Sequence, residues 1–169
     1  MGRFRHLEIE DPLDPPTAEE LAAVEEAVGA RLPGPFVEFL AAANGGRLDY
    51  SFDVPVGDGV LRMVFWSILS TRQPLPGVPA HGKLLHEIEA ERRLRGAGRH
   101  LLPFATDGGA SVVYLDLSPE GGGRVVAFIE GLPQWTGVPQ SALVTLAPDF
   151  DGFVSALYLN LEEERFHPQ

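Results

Sequence analysis

Cysteine is absent, which excludes disulfides, thiolate metal sites, cysteine nucleophiles and iron–sulfur clusters. Lysine is almost absent: Lys83 stands alone, and every other basic side chain is arginine. Positive charge is scarce altogether, with 13 Lys+Arg against 24 Asp+Glu and a formal net charge of −11. Such a surface repels phosphate backbones and anionic lipid, so neither nucleic acid nor membrane is an expected partner. No apolar run approaches the roughly 18 residues of a membrane span. The first residues carry no apolar signal-like stretch, and His6 stands where a myristoylation pattern needs Ser or Thr. A cytoplasmic protein is expected.

What is present fits one folded domain. The chain has 169 residues, 44% of them hydrophobic, and that length buries a core without staples. Nineteen glycines and 15 prolines predict many turns and short elements. Residues 1–16 read as an irregular segment ending in Asp14-Pro15-Pro16. Thr17 and Glu20 form a capping box for a helix over 18–28, whose Leu21, Val24 and Val28 make an apolar stripe. Leu32-Pro33 turns the chain into a second helix with Phe36, Phe39, Leu40 and Ala43 on one face. Asn44-Gly45-Gly46 ends it, since both residue types tolerate a left-handed cap.

Strands are predicted at 51–56 and 60–69 around a hairpin turn at Gly57-Asp58-Gly59, and a helix over 83–95. Short strands follow at 101–105, 112–117 and 124–130, with turns at Asp107-Gly108-Gly109 and at 120–123. In the second of these, Val112, Tyr114 and Asp116 face one side and Val113, Leu115 and Leu117 the other. A closing helix over 149–161 buries Phe150, Phe153, Val154, Leu157 and Leu161. The expected fold is α+β: a mainly antiparallel central sheet, an N-terminal helical hairpin and a C-terminal helix. The domain is expected to run over 17–161, followed by an acidic, mobile tail at 162–169.

Four segments, in order, resemble a known family. The first runs from Glu25-Glu26 through Leu32-Pro33, Phe36 and Phe39-Leu40 to Asn44-Gly45-Gly46. The second is Phe65-Trp66. The third is Leu102-Pro103-Phe104-Ala105, Asp107-Gly108-Gly109 and Tyr114-Leu115-Asp116-Leu117, and the fourth is Phe150, Phe153, Val154 and Leu157. The pattern is similar to the SUKH superfamily, which includes Smi/Knr-type fungal cell-wall assembly regulators and bacterial immunity proteins of polymorphic toxin systems. The resemblance implies binding rather than catalysis. It implies a protein partner, a toxin domain in the first instance, or a housekeeping protein if the chain is a regulatory adaptor. Residues 70–100 depart from the pattern, with a Pro-rich loop that reads as an insertion.

Chemical motifs are incomplete. Gly77, Gly82 and Lys83 have phosphate-loop spacing, but Leu84 stands where Ser or Thr must hold magnesium. His86-Glu87 begins like a zincin helix, but Ala90 occupies the second histidine position. Asp149 and Asp151 echo a calcium loop that Phe153 breaks, so they read as helix caps. No cofactor or metal is expected, nor catalysis. The most distinctive feature is acidic: Glu8, Glu10, Asp11, Asp14, Glu19, Glu20, Glu25 and Glu26 fall in a stretch without a basic residue. Such a patch can meet a basic toxin domain and steer its approach. Trp135, in a Pro/Gly loop, is the expected exposed anchor, while Trp66, in a strand, is expected in the core.

Overall fold

The computed structural model describes residues 1–72, 83–132, 134, 137, 139 and 141–159. The chain opens with a two-stranded hairpin, β1 (Gly2–Phe4) and β2 (Leu7–Ile9), paired Gly2 to Ile9 and Phe4 to Leu7. This corrects the expectation of an irregular 1–16. Phe4, Leu7 and Ile9 are buried, and Phe4 meets Phe39 edge-on with ring centroids 5.4 Å apart. The turn between the strands uses Arg5 at φ 52° instead of a glycine or asparagine, so the usual hairpin signal is missing from the sequence.

Helix α1 (Ala18–Val28) starts at Thr17, whose side chain accepts from the Glu20 N–H at 3.1 Å, and stops at Gly29 in the left-handed region. Helix α2 (Gly34–Ala43) buries Phe36, Phe39, Leu40 and Ala43, as their spacing predicts. The two helices serve different neighbours. α2 lies against β1, while α1 packs against α3 (Leu84–Arg95).

The main sheet has seven strands: β3 (Arg47–Val56), β4 (Gly59–Ile68), β5 (Leu101–Thr106), β6 (Val112–Asp116), β7 (Arg124–Glu130), β8 (Ser141–Ala147) and β9 (Tyr158–Leu159). Their spatial order is β8-β7-β6-β5-β4-β3-β9, and every ladder in it is antiparallel. The fold is therefore α+β. The β3–β4 hairpin turns on Gly57-Asp58 and pairs Val56 with Gly59. The sheet curls until β3 and β8, with four strands between them, approach each other.

Inside the curl sits a phenylalanine core. Phe36, Phe39, Phe65, Phe104, Phe150 and Phe153 pack with centroids 5.2–6.4 Å apart, mostly edge to face. That geometry aligns positive ring edges with negative faces and adds about 0.5–1.5 kcal/mol per pair beyond burial. β6 is buried on both sides: Val113 and Leu115 join this core, whereas Val112, Tyr114 and Val126 form a second cluster. The alternation read from the sequence holds.

The closing helix is shorter than predicted. α4 (Phe150–Ala156) is capped by Asp149, which accepts from the Gly152 N–H at 2.7 Å. Leu157 is buried but extended, and the chain continues as β9 along β3. Pairing with Tyr50 and Ser51 there outweighs further helix. Leu161 and the tail at 162–169 lie outside the described residues, as does the phosphate-loop-like segment at 77–82. β8 has no counterpart among the predicted strands.

Candidate binding cleft

β4 and β5 share only two paired positions, Ser67 with Thr106 and Ile68 with Ala105. A cleft of about 660 Å³ is built around this short seam. Trp66 and Ser67 border it from β4, Thr106, Gly108, Gly109 and Ala110 from the end of β5 and its turn, and Glu87, Glu91 and Arg95 from α3. Gly45 and Arg47 complete it from the end of α2 and the start of β3.

One wall is a closed polar network. Glu91, only 6% exposed, receives both 2.9 Å hydrogen bonds from one Arg95 nitrogen and the Tyr114 hydroxyl proton. Arg95 also donates to the Ala110 carbonyl at 2.7 Å and lies over the Phe128 ring, 4.4 Å from its centroid. Burial pushes the Tyr114 phenol up, and the neighbouring Glu91 charge pushes it further. These groups satisfy one another, as buried polar side chains must.

The turn opposite is shaped by Asp107-Gly108-Gly109. The Asp107 carboxylate accepts from the Gly109 N–H at 2.8 Å and from the Ser111 N–H at 3.3 Å. Gly108 has φ +85°, and a Cβ there would sit 3.5 Å from the Trp66 ring. The turn thus lies against the indole. Trp66 is 39% exposed, which corrects its expected place in the core. Trp135 lies outside the described residues.

The other motif residues hold the frame. Asn44 is fully buried, its amide donating to the Asp14 carbonyl and the Thr71 hydroxyl, both at 3.0 Å, and accepting from the Thr71 N–H at 2.8 Å. It is not the left-handed residue: Asn44 has φ −52°, and Gly45 takes φ +68°. Gly46 leaves room for Ile9, since a Cβ would meet that side chain at 2.4 Å. Asp116 accepts from the Ser118 N–H and hydroxyl and from Arg124. Burial alone would raise its carboxyl pKa, but those hydrogen bonds and the Arg124 charge hold it below the usual carboxylate range. Leu32 is buried, and Pro33 caps α2.

The structure divides the acidic stretch. Arg47 pairs with Asp11 at 2.7 Å and Glu10 at 3.9 Å. Glu20 takes hydrogen bonds from Thr17, Thr71 and Arg72 instead of closing the box onto the helix start; burial raises its pKa, and these donors lower it further than burial raises it. Glu25 accepts from the Leu32 N–H at 2.9 Å and so fixes the turn between the helices. Glu8, Asp14, Glu19 and Glu26 remain exposed, their side chains without a bonding partner among the described residues. Arg92 and Arg95, which suit the negative end of the α3 dipole, in fact bridge outward: Arg92 donates to the carbonyls of Ala27 and Arg99.

Sequence reasoning missed the Glu91–Arg95–Tyr114 network. The i,i+4 spacing of Glu91 and Arg95 was the available signal, but nothing in the sequence brings Tyr114 to them. Among the described residues no three His, Asp or Glu side chains are grouped to hold a metal ion. Among the described residues no helix is long and apolar enough to cross a membrane.

Comparison with curated proteins gives no match. A family model does match, that of the SMI1 / KNR4 family (SUKH-1), over residues 15–156. The match spans α1 to α4 and takes in Asn44-Gly45-Gly46, Trp66, Asp107-Gly108-Gly109 and Asp116. The chain belongs to the SMI1 / KNR4 family.

Proposed function

We propose that the chain is a non-catalytic, cytoplasmic immunity protein that binds a cognate toxin and neutralises it by occupying its surface. One observation carries this reading beyond family membership. Glu91 and Arg95, two of the ionisable groups that line the cleft, are tied to each other, and Tyr114 behind them is tied to Glu91. Groups locked in mutual hydrogen bonds present a shaped, rigid surface. A concave surface with an exposed indole suits a protein contact. The test is survival. Cells expressing the cognate toxin are expected to die without this chain and to survive with it. Equal survival in both cultures overturns the reading, and a stoichiometric housekeeping partner assigns the chain to the regulatory adaptors instead.

A further inference from the structure

β4 outruns one of its neighbours. It pairs with β3 from Gly59 to Phe65, but β5 meets it only at Ser67 and Ile68. Beyond Thr106, β5 turns away through Asp107-Gly108-Gly109. The stretch from Val60 to Val64 therefore runs on past the end of β5, and no third helix or strand among the described residues packs along it. The polarity of its backbone follows from the turn before it. A two-residue turn at Gly57-Asp58, with Gly57 at φ 58°, makes Val56 and Gly59 a hydrogen-bonded pair. Alternation then aims the N–H and C=O of Leu61 and Met63 at β3, and those of Val60 and Val64 away from it. On that side neither valine has a backbone partner among the described residues.

The side chains along this edge are apolar on both faces. Val60 is 62% exposed and Val64 half-buried on the outer face, while Leu61 and Met63 pack half-buried against the core. Native edges of this length are commonly blunted by lysine, proline or a bulge. Gly59–Ile68 holds no lysine or proline, and its single charged residue, Arg62, turns its side chain across β3 to the Tyr158 hydroxyl at 2.9 Å.

We propose that this edge of β4 takes up an extended segment of the protein partner as an added strand. This rests on the reading that the partner is a protein, and it names the mode of contact. An extended backbone supplies donors and acceptors at the spacing that Val60 and Val64 present, and alternate apolar side chains cover Leu61 and Met63. Two copies of this chain carry −11 each and repel one another, so the occupant is a segment of another protein. The added strand continues the line of β5 and ends beside Trp66, against which the Gly108 turn lies.

The experiment is amide hydrogen exchange, read by NMR on the full chain. In the free chain the Val60 and Val64 amides are expected to exchange about a hundredfold faster than those of Leu61 and Met63, which β3 protects. The probe is an uncharged seven-residue peptide alternating threonine and valine. At saturation it slows Val60 and Val64 about tenfold or more. The same peptide N-methylated at its valines, which lacks the donors, does not. Val64→Pro removes an outward N–H and is expected to weaken peptide binding about tenfold while Leu61 stays protected. If that variant loses the Leu61 protection, the N-methylated peptide gives the same reading on the unaltered chain. Val60 and Val64 already slow in the free chain, protection that grows with chain concentration alone, an equal effect of both peptides, or no effect of either overturns the proposal. None of those outcomes bears on toxin binding, which the survival test decides separately.

Discussion

Asn44 shows how one side chain can hold three parts of the chain. Its amide ties the Asp14 carbonyl to Thr71, and its backbone carbonyl accepts from the Leu13 N–H at 2.7 Å. Replacement by alanine leaves the Thr71 N–H buried without its acceptor, and each such group costs about 1–3 kcal/mol. Asn44→Ala is expected to lower stability by about 2–3 kcal/mol, or on the order of 5–10 °C in Tm for a chain of this size; calorimetry checks it. Asp116 and Glu20 give the fold its acid sensitivity. Both carboxyls lie below their ordinary values of 3.8 and 4.5. They therefore stabilise the fold above those values, and the contribution is lost as pH falls through the lowered folded-state values. Denaturation midpoints followed downward from pH 6 or so are expected to drop most steeply below about pH 4. Asp116→Asn flattens that slope.

At the scale of elements, the hairpin β1–β2 is part of the core. Phe4 reaches Phe39 and Phe150, so Phe4→Ala is expected to cost about 3–5 kcal/mol, the range of other buried aromatic truncations. Chemical denaturation with an unchanged m-value would confirm it; a loss below 1 kcal/mol or so would show the hairpin to be an accessory. The same hairpin marks where the sequence was hard to read. α1 and α2 were legible because caps and an i, i+3, i+4, i+7 stripe agree locally. β1 and β2 have three residues each and turn on Arg5, too little pattern for a period of two. β8 alternates exposed and half-buried positions, but its Ser, Ala and Thr blur the contrast. Leu157 keeps helical spacing from Phe150, yet the β3 edge draws the chain after it into a strand. The cleft was not legible at all, because α3, the β4–β5 seam and the ends of α2 meet there only through tertiary packing. Trp66 read as core for the same reason: a strand tryptophan is usually covered, and nothing local says that the ladder beside it stops after two pairs.

For the whole molecule, charge decides how a partner arrives. A net −11 creates a field that reaches about 30 Å at 0.01 M salt and only about 8 Å at 0.15 M. Association with a basic toxin is expected to slow on the order of tenfold across that range, while dissociation changes less; stopped-flow mixing at graded salt reads both. Neutralising Glu19 and Glu26 to glutamine should reduce that salt dependence without altering the fold, since both are exposed and make no bond to the body of the protein among the described residues.

The most direct measurement is purification of the tagged chain at low salt from its own host, grown with candidate toxin genes of that host expressed, and identification of what stays bound. The account predicts a toxin domain in one-to-one ratio, basic on its contact face and released by salt. A housekeeping protein at that ratio, or a tagged chain that emerges alone while the toxin is plentiful, would contradict it.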